Sequence, residues 1–285
     1  MDDADRVSVI VTTRNNHATL DKCLRSIAGQ TYAPIELIVV DRDSTDDTKE
    51  IARTYTQHVH NHGPERSAQR NFGVASATGK YVVIIDSDME LEPEVIAACV
   101  ASMHSEPNAP GVIIGEQSFG QGFWAQCKRL ERSFYVGVDG IEAARFFKRD
   151  TYMSVGGYDE TMVSGEDWDL SRRIGEQGKI MRITPLIHHN EGHLKLWQTL
   201  KKKLYYAGKA RNYLAKNTVG SQLNKQVSPL QRYKLFFSKP HKLFEKPLTG
   251  IGMLFMKTCE FGFGAAGYFF GGENGPSRGK EARTS

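Results

Sequence analysis

Residues 81–88 read Tyr81-Val82-Val83-Ile84-Ile85-Asp86-Ser87-Asp88, a charge-free β-branched run that ends abruptly in two carboxylates. Five apolar residues in a row, with no polar alternation, predict a strand buried on both faces. The same kind of run occurs at Val7–Thr13 and at Glu36–Val40. Between these runs the spacing changes. His17–Ala28 places Leu20, Cys23, Leu24 and Ile27 on one helical face. Helices are also expected after the cap at Ser44–Asp47, over about Pro64–Ala75, and over Pro93–Met103, with a short strand near His58–His60. Strands alternating with helices of this length predict an α/β fold with a mostly parallel, doubly wound sheet. Ligands of such sheets sit at the carboxyl ends of the strands, which directs attention to the residues after Val40 and Ile85.

Beyond Gly111–Gly115 the pattern is less regular. A helix over Gln121–Tyr135, a strand at Ala143–Phe147, a helix at Asp167–Gln177 and two short strands, Ile180–Thr184 and Leu186–His189, are expected. With no repeat or low-complexity linker, residues 1–192 read as one domain. Residues 193–272 read as a basic, amphipathic and apolar helical region, and 273–285 as a disordered tail.

The chain has 285 residues, 37 Lys+Arg and 33 Asp+Glu, a net charge of +4. Its 40% hydrophobic and 25% charged content excludes a disordered, collagen-like or disulfide-scaffold protein. The charge is unevenly placed. Residues 1–192 hold 20 basic and 29 acidic groups, whereas 193–247 hold 13 basic groups and one acid, Glu245. An acidic body with a basic extension predicts chemistry in the first and docking on something anionic in the second. Cys23, Cys99, Cys127 and Cys259 have no metal-finger spacing and read as reduced, buried thiols of a cytosolic protein. The acidic start, Met1-Asp2-Asp3-Ala4-Asp5, lacks the layout of a signal peptide.

Two carboxylates at i and i+2 after a buried strand can share a divalent cation and its bound phosphates, although acid pairs in turns also cap or face solvent. Asp41 ends its strand too early to cap the next helix and is placed to accept hydrogen bonds from a ligand. Arg66 and Arg70 share a helix face with Gly73, either as a solvated surface or to hold the nucleotide end of a donor. In Gly165-Glu166-Asp167-Trp168-Asp169, the acids either complement a helix N-terminus or include a general base.

Taken together, VVDRDSTDDT, RSAQRNFGVASATGKYVVIIDSDM and GGYDETMVSGEDWDL, in that order, resemble the inverting family 2 glycosyltransferases of the GT-A fold over about residues 6–192. The resemblance implies that Asp41 contacts the nucleotide and that Gln69-Arg70-Asn71 with Gly73 corresponds to the family's ARN-G segment, with Gln in place of Ala. It implies that Asp86 and Asp88 bind Mg²⁺ or Mn²⁺ and that Asp167, paired with Glu166, is the base. Thr13, Arg14, Arg66, Arg70 and Asp86 complete the expected donor-binding set. A late His, His189 or its neighbour His188, is expected at the metal or diphosphate. The QxxRW signature of the processive synthases is absent, since the chain reads Leu170-Ser171-Arg172-Arg173-Ile174 after the acid pair. Addition of one sugar is therefore expected.

In the extension, Leu194, Trp197, Leu200, Leu204 and Tyr205 alternate with Lys201-Lys202-Lys203 and Arg211, and the apolar Leu248–Phe270 follows. Those 23 residues are long enough to enter a bilayer. Basic and aromatic residues together suit an anionic membrane surface, and the apolar stretch has no use on a nucleic acid. The alternative is a helical hairpin packed on the catalytic body. The expectation is a peripheral or monotopic enzyme on the cytoplasmic side of the cell membrane. It would move one sugar from a nucleotide-diphosphate sugar to a hydroxyl of a lipid-linked (polyprenyl-diphosphate) acceptor. A polyprenyl-phosphate sugar synthase is the near alternative, and a non-catalytic sugar-nucleotide-binding scaffold the distant one.

Overall fold

The computed structural model describes residues 5–209 and 228–270. Arg211 and the expected tail 273–285 lie outside the described residues. In chain order the elements are β1 (Val7–Thr13), α1 (His17–Ala28), β2 (Ile35–Asp41), α2 (Thr48–Arg53), β3 (Val59–Asn61), α3 (Arg66–Ser76), β4 (Tyr81–Asp86), β5 (Met89–Leu91) and α4 (Val95–Ser105). There follow β6 (Gly111–Gln121), α5 (Phe123–Ser133), β7 (Ala144–Lys148), α6 (Arg149–Ser154), α7 (Glu166–Gly175), β8 (Met181–His193) and α8 (Leu196–Lys209). The helices after residue 227 are α9 (Pro229–Phe237), α10 (Pro240–Glu245) and α11 (Pro247–Phe270).

The eight strands form one sheet in the order β3-β2-β1-β4-β7-β6-β8-β5. The half built from β3, β2, β1 and β4 is parallel, and its apolar runs are buried on both faces. One core lies on each side, Leu20, Cys23, Leu24 and Ile27 of α1 on one and Val74 of α3 with Leu170 and Ile174 of α7 on the other. A Cβ at Gly73 would collide with Ile10, so the glycine is what lets α3 lie close on β1.

The other half is mixed: β7 runs antiparallel to both β4 and β6, and β8 is parallel to β6 but antiparallel to β5. One expectation is corrected here. The two short strands after residue 180 are one, β8. Its register on β6 jumps from Ile113↔Arg182 to Gly115↔Leu186, and the slack holds Pro185, which has no amide hydrogen for the ladder. β6 continues through the polar Glu116-Gln117-Ser118 to Gln121, because Glu116 meets an arginine on β7 rather than solvent.

α8 and α11 pack on each other and, through α11, on α5, so the region after His193 joins the body through a third core. Cys127, Phe134, Phe236, Leu243, Met253 and Met256 form that core. Beside it Lys257 Nζ lies 2.6 Å from Glu131 Oε1 and 2.9 Å from Glu260 Oε2. Lys128 Nζ lies 2.8 Å from Glu131 Oε2 and 3.2 Å from Glu260 Oε1, closing a square of charges between α5 and α11. Among the described residues no helix is long and apolar enough to cross a membrane. The four cysteines are unpaired; Cys23, Cys99 and Cys127 are buried as expected, whereas Cys259 is half-buried.

Candidate active site

The carboxyl ends of β1, β4 and β8 open on a cleft of about 320 Å³. Thr12, Thr13 and Arg14 come from the end of β1, Asp86, Ser87 and Asp88 from the end of β4, and His189 from β8. Arg42, Glu65, Arg66 and Gln69 close one side and Tyr206 of α8 the other. Of the expected site residues, Thr13, Arg14, Arg66, Asp86, Asp88 and His189 thus share one space.

Arg70 does not line it. Its side chain is fully buried, and its guanidinium forks between two acids 81 residues apart in sequence. Nη2 donates to Asp86 Oδ1 and Oδ2 at 2.9 and 3.3 Å, and Nη1 donates to Asp167 Oδ1 at 2.9 Å. The expectation that Arg70 holds the donor is therefore corrected: it fixes the two acids relative to each other, and only Arg66 of the pair faces the cleft. Asn71 sets the loop behind. It accepts from Tyr158 N at 2.9 Å and Tyr152 Oη at 2.7 Å, which aims Tyr158 Oη at Asp167 Oδ1, 2.9 Å away. Gln69 donates to the carbonyls of Thr13 and Val40, tying α3 to the ends of β1 and β2.

Asp41 is also corrected. It is fully buried, and both its oxygens accept from Ser44, from the amide at 2.8 Å and from the hydroxyl. It folds the turn after β2 instead of facing a ligand, since one of its oxygens meets the amide three residues on. Asp46 is the residue that holds the start of α2, through Thr48 and His17.

Burial pushes the Asp86 carboxyl up, but Arg70, Arg145 and Arg66 outweigh it and hold it well below the usual carboxylate range. Arg145, from β7, lies 3.7 Å from Asp86 Oδ2 and donates through Nε to Glu116 Oε1 at 2.6 Å. Burial also pushes Glu116 up, yet Arg145, Arg132 and His189 keep it at about 2. Glu166 goes the other way: burial and the adjacent Asp167 charge raise it, against Arg70 and Arg66. The result is a relay of alternating charge that runs from β6 and β7 through the end of β4 to α3 and α7. Arg145, Glu116, Tyr158 and Tyr206 escaped the sequence reading. The charge at Glu116, within an otherwise strand-like stretch, was the one available signal.

The two candidate histidines separate by strand alternation. His188 Nε2 meets Glu92 Oε1 at 3.1 Å, away from the cleft. His189 lines the cleft with Nε2 3.3 Å from Asp88 Oδ2. Burial lowers His189, but Asp88 outweighs it and raises it above the ordinary imidazole value.

A shared three-ligand metal cluster is not assembled: among the described residues no three His, Cys, Asp or Glu side chains converge for one. Asp86 is engaged by Arg70 through both oxygens, whereas Asp88 is engaged by His189 through Oδ2 alone. Asp88 Oδ1 is buried with no hydrogen-bond partner, and so is Thr13 Oγ1. A hard, ionic oxygen left unmatched at the cleft fits Mg²⁺ or Mn²⁺.

The model of glycosyl transferase family 2 matches residues 8–178. The chain belongs to that family. The "Pre-mycofactocin glycosyltransferase" of Mycobacterium tuberculosis (strain CDC 1551 / Oshkosh) is 29% identical over 232 residues, 72% of this chain and 46% of that protein. The "Uncharacterized glycosyltransferase YibD" of Escherichia coli (strain K12) is 33% identical over 99 residues, 33% of this chain and 29% of that one. The chain thus spans less than half the length of either relative. Among solved structures, the mannosyltransferase PcManGT from Pyrobaculum calidifontis, in complex with GDP-Man and Mn²⁺, superposes with a TM-score of 0.55 at 19% identity. The likeness covers 88% of this chain and 74% of that one and shows a common GT-A-like fold.

Proposed function

We propose that the chain is a metal-dependent, inverting glycosyltransferase that adds one sugar from a nucleotide-diphosphate sugar to a hydroxyl of a lipid-linked acceptor. The observation that carries this reading is the Arg70 fork, which pins the cleft acid Asp86 and the acid Asp167 to one rigid group. An in-line displacement needs the leaving group and the base held on opposite sides of one carbon at a fixed separation.

Arg14, Arg42 and Arg66 face the space a diphosphate needs, and guanidinium groups match phosphate oxygens. A Mg²⁺ or Mn²⁺ on Asp88 would neutralise charge on the departing diphosphate, and the structurally similar Pyrobaculum mannosyltransferase is in complex with Mn²⁺. His189 lies beside Asp88 on the same side of the cleft, placed to reach the same oxygens. At the other end, Arg70 and Tyr158 both bond Asp167 through Oδ1 and fix the carboxylate plane. Oδ2 takes the proton of the acceptor hydroxyl as its oxygen attacks the anomeric carbon. The bond to the diphosphate breaks and the configuration inverts. The need for a base favours a hydroxyl acceptor over a phosphate, which is already an anion. The lipid-linked acceptor is supported by the 13-to-1 excess of bases over acids in residues 193–247.

The test is a panel of nucleotide sugars with released nucleotide measured by mass. Asp167→Asn is expected to lower turnover by ~10² or more, a typical general-base contribution, with donor affinity retained. Near-normal turnover in that variant would sink the assignment.

A further inference from the structure

α11 is charged on its inside and apolar on its outside. Its charged residues, Lys257 and Glu260, are 8% and 3% exposed and face α5. Its outward positions include Leu248, Ile251, Phe255, Thr258, Ala265 and Phe269, recurring at helical spacing without a charge. Leu248 and Ile251 are 77% and 66% exposed. A helix that faces water has the reverse arrangement. At the preceding helix ends, Phe237 and Phe244 are exposed as well, and Lys234 and Lys246 are exposed beside them.

We propose that the outward face of α11, with Phe237 and Phe244, is seated in the headgroup region of an anionic lipid bilayer, the helix axis lying in the membrane plane. Charge selects this occupant. A second copy of the chain would bring Lys234 and Lys246 against their like, with Glu245 the sole acid in residues 193–247 to offset them. Anionic headgroups complement those cations while the stripe meets the acyl boundary. In-plane seating also leaves Lys257 and Glu260 with the protein partners they already have. The proposal does not depend on the transfer chemistry.

The full chain is floated with vesicles of equal phosphatidylglycerol and phosphatidylcholine, and with phosphatidylcholine alone. The wild type is expected to float with the anionic vesicles. Leu248→Glu with Ile251→Glu, both at exposed positions, should weaken partitioning on the order of 10²-fold, the loss of two buried aliphatic side chains. Lys234→Gln and Lys246→Gln should each weaken it roughly fivefold. Thermal melts check that the variants fold; should the glutamate pair fail to, the two glutamine variants carry the test. Wild-type protein that stays in solution with anionic vesicles overturns the proposal, as does undiminished flotation of the altered proteins. A concentration-dependent dimer that the glutamate pair dissociates would assign the face to a second copy instead.

Discussion

Two buried ionic networks organise this protein, and they end differently. Between α5 and α11, Lys128, Glu131, Lys257 and Glu260 form a square in which each carboxylate oxygen has an ammonium partner, and Tyr135 Oη adds a bond to Glu131. Behind the cleft, Glu116, Arg145, Asp86, Arg70, Asp167 and Glu166 form a longer relay, and beside it Asp88 Oδ1 and Thr13 Oγ1 are buried with no partner. A closed network holds two elements together. An open one of similar materials keeps some of its electrostatic capacity for a ligand, at a cost in stability.

The sharpest way to break the comparison is at Arg70. Arg70→Met leaves Asp86, Asp167 and Glu166 facing one another without their shared cation. Turnover should fall by ~10³ through lost positioning of both ends of the reaction. Stability should fall by about 3–5 kcal/mol, as when one partner of a buried pair is removed. Denaturant unfolding and steady-state kinetics on the same preparation measure both. In the closed square, Lys257→Met should cost a similar about 3–5 kcal/mol with kcat essentially unchanged, and adding Glu260→Gln should recover part of it. A large kcat loss in Lys257→Met would show that the two networks are coupled.

Acid should separate them further. Burial raises Glu131 and Glu260, but Lys128 and Lys257 outweigh it and hold both below the ordinary 4.5, Glu260 at about 2. Folded values below unfolded ones mean stability that is present above pH 4.5 and lost as pH falls toward 2. Glu166 is raised, so its effect has the opposite sign: stability declines as pH climbs from 4.5 through its folded value. Melts of wild type and Glu166→Gln should coincide below pH 4.5 and part above it, whereas wild type and Glu260→Gln should differ fully above pH 4.5 and converge as pH falls toward 2. The smallest effect is expected from Tyr206→Ala, a weakening of donor KM by ~0.5–1.5 kcal/mol with kcat kept, from loss of an aromatic wall.

Much of the parallel half was legible because a buried strand and an amphipathic helix each announce themselves within ten residues. Val7–Thr13 and Leu20, Cys23, Leu24 and Ile27 lie where the periodicity put them. Asp86 and Asp88 could be named as cleft residues from their place after a buried strand, whereas His189 could not be told from His188 until β8 was seen to run on to His193. The roles of Arg70 and Asp41 could not, because a side chain's partner is set by tertiary distance. Asp86 and Asp167 meet Arg70 from 16 and 97 positions away, and Arg145 meets Asp86 from a strand that reverses direction. The inward turn of Lys257 and Glu260 was half visible, since an i,i+3 pair shares a face, but which face turned inward depended on α5.

α8 touches both regions at once. Tyr206 lines the cleft, and two residues earlier the Leu204 carbonyl lies where a side chain at Gly267 of α11 would sit. Genetics on this protein would therefore read oddly: a change as small as a methyl group at Gly267, on α11, would displace α8 and with it Tyr206 at the cleft. The address of a lesion and its phenotype would belong to different ends of the molecule, joined by one shared helix.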